Sequence, residues 1–173
     1  VSATASPFRE ALAALARAGV DFVLVGVGGI NFYARDPAEV VRTVDLDVLI
    51  PRRVDALRGA LAALHAAGFR FEASGEPFVD VGDEAVLGRI VESGGNVAAV
   101  AGGVRLDLML AATGFGFDEL AADAERFRLG DLEVSVGRLE KLLRSKALAG
   151  RAKDREFLRL FAARLREDAE RGR

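Results

Sequence analysis

The chain has 173 residues, 51% of them hydrophobic and 29% charged, with a formal net charge of −2; this is the composition of a globular domain with a sizeable core. It has no Cys and one His, which excludes disulfides, thiolate metal sites and cysteine catalysis, and leaves no histidine metal cluster. No apolar run reaches the roughly 18 residues of a membrane span, and "VSATASPFREAL" shows no basic segment ahead of an apolar one, so no membrane contact, no signal peptide and a cytoplasmic location are expected.

Ser6-Pro7 followed by "FREALAALARAG" predicts a capped helix, with Pro7 at its first position and Gly19 past its end. "DFVLVG" predicts a short strand, after which "GGINFYARD" starts a helix on the glycines. Pro37 falls in the linker "DPAEVV", and "VDLDVLI" is the next strand, closed by Pro51. "RVDALRGALAALHAAG" has apolar residues at helical spacing and ends at Gly68. Strands are expected near Phe69–Glu72, Ala85–Val91 and Val97–Ala101, with Gly-containing turns between them. "VRLDLML" alternates like a strand. "FDELAADA" predicts a short helix, "LEVSV" a late strand, and Arg138–Ala149 and Asp154–Glu170 two closing helices broken at Gly150. The order indicates an α+β domain with a mixed sheet and a C-terminal helical appendage. Charge is uneven: from Arg138 to Arg173 there are 12 Lys+Arg against 6 Asp+Glu. A basic end on an acidic body fits phosphate contact or a solvated helical hairpin.

The stretch "RTVDLDVLI" sets two carboxylates inside an otherwise apolar strand. Residues i and i+2 share a face, so Asp45 and Asp47 stand side by side while Val44, Leu46 and Val48 point into a core. Paired carboxylates repel and call for a divalent cation; all-oxygen donors suit Mg2+. The plainer reading is a strand whose polar face meets water. Asp107, mid-strand in "VRLDLML", is the best candidate for a third acid. Three such acids can hold two metals for in-line phosphoryl displacement, or supply a general base.

"VLVGVGGIN" follows a strand and opens a helix, where glycines permit close backbone approach and helix N–H groups attract phosphate. A dinucleotide fingerprint is rejected. Asn31 holds the third glycine position, Pro37 interrupts the connection, and the acids begin the second strand where that fingerprint needs one at its end. A tight turn without ligand is the alternative. His65, in an Ala/Leu-rich helix, is expected to be structural.

These residues together resemble the nucleotidyltransferase fold, the superfamily of polymerase-beta-like enzymes. Within it, the resemblance is to small prokaryotic nucleotidyltransferases related to abortive-infection toxins. The match is "GVGGINFYA" followed by "RTVDLDVLI", with Arg42, Thr43, Asp45 and Asp47 in register, then Asp107 as the third acid. The tail "LEKLLRSKALAGRAKDREFL" resembles that group's closing segment, matching at Lys146, Gly150, Arg151, Lys153 and Asp154. Either Gly26 matches the first glycine, with Val27 in place of the second, or Gly28 and Gly29 match and the strand carries an extra Val-Gly.

The resemblance implies a nucleotidyltransferase-like mixed sheet flanked by helices, a core over residues 1–136, and a helical hairpin over 137–173. It implies transfer of a nucleoside monophosphate from a nucleoside triphosphate (NTP) to tRNA, a protein hydroxyl or a small molecule, with a cognate antitoxin as a further partner. Asp45 and Asp47 would hold Mg2+ or Mn2+, and Asp107 would hold the second metal or take the acceptor proton. Gly28 and Gly29 would support the triphosphate, with Arg42 and Thr43 close by. Lys146 would neutralise phosphate charge, and Asp154 would orient Lys146 or cap the last helix. Two other readings stand beside this one. The first is a non-catalytic nucleotide- or partner-binding protein of the same fold. The second is a metal-dependent nuclease or phosphohydrolase of another fold.

Overall fold

A computed structural model describes residues 8–161 except Val79, Lys153, Glu156 and Leu160. The expected Ser6–Pro7 helix start, Lys153 and the end of the last helix lie outside the described residues. Helix α1 (Arg9–Arg17) leads to β1 (Val23–Val25), which runs straight into the short helix α2 (Gly26–Ile30). Two single 3-10 turns, Asn31–Tyr33 and Pro37–Glu39, connect to β2 (Asp45–Leu49) and then α3 (Val54–Ala66). β3 (Arg70–Ala73) and β4 (Glu76–Phe78) form a hairpin ahead of α4 (Glu84–Ser93). Then follow β5 (Asn96–Ala101), β6 (Val104–Met109), α5 (Phe117–Ala121), β7 (Glu125–Leu129), β8 (Leu132–Val136) and α6 (Leu139–Ala149). Asp154, Arg155, Phe157–Arg159 and Phe161 are helical beyond Gly150.

The strands form one mixed sheet in the order β4-β3-β5-β6-β2-β1-β8-β7. β2 and β6 are parallel, as are β1 and β8; the remaining neighbours are antiparallel. The protein is thus mixed α+β. Among the described residues no helix is long and apolar enough to cross a membrane. β5 and β6 are joined by Gly102-Gly103, both at positive φ, as a two-residue hairpin turn demands.

Alternation fixes what each strand faces. Leu46, Val48, Leu106 and Leu108 are buried, and they interleave with Asp45, Asp47, Arg105 and Asp107 on the opposite face. α3 contributes Leu57, Leu61 and Leu64 to the same buried cluster, the i, i+4, i+7 stripe of an amphipathic helix. α6 contributes Leu139, Leu142 and Leu143, and Phe157 and Phe161 join beyond it.

Three expectations change. The segment Ala85–Val91 is helix, not strand. Asp83 caps it by accepting from the Ala85 and Val86 N–H groups, and Gly94 ends it at φ +65°. Its β-branched residues fall on one side, with Leu87 buried and Ala85, Arg89 and Glu92 outside. Val44 is 73% exposed, because β2 begins only at Asp45. The strands β4 and β7 were not expected at all.

Candidate active site

The register of the sheet lays out the polar face. Directly opposed residues share a face, so one row across the strands reads Glu72, Ala98, Asp107, Asp47, Val25. The next row reads Arg70, Val100, Arg105, Asp45. Asp47 and Asp107 are therefore neighbours on parallel strands, and Asp45 lies one row away on the same side. All three line one cleft, together with Arg42, Thr43, Asn96, Lys146, Arg151 and Asp154. A smaller hollow shares Asp47, Lys146 and Arg151 with it, and adds Gly26, Thr113 and Ser145.

Asp47 is held at the end of the β1–α2 turn. Gly26 sits at φ +63°, and a methyl group there would lie 1.8 Å from Asp47 Oδ2. Only glycine lets the backbone pass so close to that carboxylate. Burial first, and then the charges of Asp45 and Asp107, push the Asp47 carboxyl up to about 6. Burial also raises Asp107, against the pull of Arg105.

Gly28 and Gly29 are buried within α2. A methyl on Gly28 would meet Leu46 Cδ1 at 2.4 Å, and one on Gly29 would meet the Leu24 carbonyl oxygen at 3.0 Å. Their small size thus lets α2 lie on β1 and β2. Thr43 is engaged with Asp45: its Oγ1 lies 2.7 Å from Asp45 Oδ1 and 3.0 Å from the Asp45 carbonyl oxygen. Arg42 is exposed at the cleft wall. His65 is exposed near the end of α3 and does not line the cleft.

Lys146 follows Leu139, Leu142 and Leu143 on the buried stripe of α6 and is only 7% exposed. Its Nζ donates to Asp154 Oδ1 at 3.0 Å and stands 5.1 Å from the Phe157 ring centroid. Arg151 Nε donates to the other Asp154 oxygen at 2.7 Å. Burial works against the Asp154 carboxylate, but these two cations hold it below the usual carboxylate range. Leu148, by contrast, is 57% exposed.

Arg105 was not foreseen. Its Nε is 3.2 Å from Asp107 Oδ1, and its other arm donates to Glu72 Oε2 at 3.2 Å. The signal was present, because Arg105 precedes Asp107 by two residues on an alternating strand. Glu72 and Phe157 carry no comparable sequence signal, since strand pairing and the chain's return bring them in.

Three carboxylates on one face are an all-oxygen donor set that fits Mg2+ or Mn2+. The pressure of Asp45 and Asp107 on Asp47 is what a divalent cation would relieve. Among the described residues, however, no three acids or imidazoles are gathered as a ready metal cage. Asp107 is paired with Arg105, and Asp45 with Thr43. No protein-family model matches the chain, and no curated protein matches it.

Proposed function

We propose that this cleft is the active site of a Mg2+-dependent nucleotidyltransferase. It would move a nucleoside monophosphate from an NTP to a hydroxyl of tRNA, a protein or a small molecule, in the manner of the toxin-related enzymes its motifs resemble. The observation that carries this reading is the convergence of Asp45, Asp47 and Asp107 on one sheet face, with Lys146 and Arg151 on the same cleft. The acceptor oxygen forms a bond to the α-phosphorus, the bond to the bridging oxygen breaks, and pyrophosphate leaves. Asp45, Asp47 and Asp107 would hold the cation, which when bound offsets triphosphate charge and that of the departing pyrophosphate. Asp107 would alternatively take the acceptor proton. Lys146, oriented by Asp154, and Arg151 set positive charge at the cleft, where it stabilises charge as it builds on the leaving group.

The test is incubation with each α-labelled NTP, Mg2+ and cell extract, followed by locating the label. A labelled RNA, protein or small molecule that disappears with Asp45→Asn/Asp47→Asn supports the reading; no transfer with any of the NTPs sinks it. The ion pair between Arg105 and Asp107 favours one alternative, a non-catalytic nucleotide-binding protein of this fold. That alternative predicts nucleotide binding with no labelled product.

A further inference from the structure

Arg105 pairs with Asp107, one of the three acids, and its position is built by the sheet. It stands opposite Asp45 and two residues before Asp107 on β6. One row along, Asp107 is separated from Glu72 only by Ala98. The alanine side chain is small enough for a guanidinium to lie across it. Arg105 bridges the two acids that flank it, reaching Asp107 Oδ1 and Glu72 Oε2 at 3.2 Å each. The planar fork of arginine can serve two carboxylates at once, which a lysine ammonium on a single point cannot do as well.

We infer that Arg105 is a positioning residue that occupies Asp107 in the metal-free protein and is drawn onto Glu72 when a divalent cation takes Asp107. The inference rests on the metal-site reading proposed above. Without Arg105, Asp107 would add an uncompensated negative charge beside Asp45 and Asp47. With Arg105 but without Glu72, the guanidinium would have no second anchor and would stay on Asp107 in competition with the metal. Glu72 therefore acts on the metal mainly through Arg105, whose charge weighs more on Asp107 than that of Glu72 does. Both side chains are about two-fifths exposed, so their replacement leaves the buried cluster untouched.

The test is Mn2+ binding to the full chain without nucleotide, measured by electron paramagnetic resonance, in a double-mutant cycle. Arg105→Gln is expected to tighten Mn2+ and Glu72→Gln to weaken it, each by about two- to fivefold, the range of a part-exposed ion pair. The distinguishing result is the double variant: with Arg105 absent, Glu72→Gln should no longer weaken Mn2+ binding. Additive effects would mean simple long-range electrostatics and would overturn the inference, as would unchanged affinity in Arg105→Gln. Those outcomes leave the metal site standing. A parent protein that binds no Mn2+, or binds it equally well as Asp45→Asn/Asp47→Asn, overturns the metal-site reading and this inference together.

Discussion

A lysine that is 7% exposed must have its charge answered, and Lys146 has it answered by Asp154 and the face of Phe157. Removing one member of a buried pair leaves the other stranded, at a cost of about 3–5 kcal/mol. Here Arg151 still holds Asp154, so Lys146→Met is expected to cost less, about 2 kcal/mol, in urea unfolding. Adding Asp154→Asn should recover part of that loss; if the double variant loses the full sum of the two singles, the pair is not coupled. Asp47 gives the opposite kind of prediction. Its carboxyl is raised from 3.8 to about 6, so between those values the folded state binds more protons than the unfolded one. Stability from this group is then present at low pH and lost as pH rises from about 4 to about 6, by at most about 3 kcal/mol. In EDTA, the stability of the parent should fall relative to Asp47→Asn across that window, and a pH-independent difference between the two would refute the shift. At this scale the acids were legible, because period-two alternation alone puts Asp45 and Asp47 together. The burial of Lys146 was not, because it depends on Asp154 and Phe157 returning from beyond Gly150.

Apart from α4, the described helices and interior strands fall where the sequence pattern puts them, and the two strands missed are the two edges of the sheet. β4 carries Pro77, and β7 reads Glu-Arg-Phe-Arg-Leu. Charges and proline are how edges avoid pairing with other chains, and they also erase the apolar alternation by which a strand is recognised. α4 was misread for the converse reason. Val86, Ile90 and Val91 look strand-like in isolation, but the cap at Asp83 and the one-sided burial decide for helix. The β1–α2 junction yields a prediction that separates function from packing. Gly26→Ala would force a side chain into the left-handed region, costing about 1–2 kcal/mol, and would push directly on Asp47. Gly28→Ala would instead press on Leu46 in the core, costing about 1–3 kcal/mol as overpacking. Mn2+ affinity should therefore drop sharply in Gly26→Ala and stay close to the parent in Gly28→Ala, once both are measured well below their melting temperatures. Equal affinities in the two variants would detach Gly26 from the site.

At the scale of the molecule, the cleft joins distant parts of the chain. β2 and β6 are parallel neighbours although about sixty residues separate Asp47 from Asp107. No local pattern shows that pairing; β6 and β2 are the two central strands of the sheet. α6 closes the arrangement: Leu142 fills the space left by Gly29 and Gly137 and so brings Lys146 to the acids. A ligand bound in the cleft touches segments from both halves of the sequence and exists only in the folded state. It must therefore stabilise the whole fold by mass action, by about 2.7 kcal/mol at one hundred times its dissociation constant. For a chain of this length, about 2–4 °C of melting temperature accompanies each kcal/mol, so Mg2+ with the preferred NTP should raise the midpoint by about 5–10 °C. Asp45→Asn/Asp47→Asn should lose that response while its ligand-free midpoint holds or rises, because the burial of a charge at Asp47 and the repulsion from Asp45 are both gone. A double variant that still gains the full shift would place the nucleotide elsewhere. A lower ligand-free midpoint would mean that the two aspartates stabilise the fold and do not strain it.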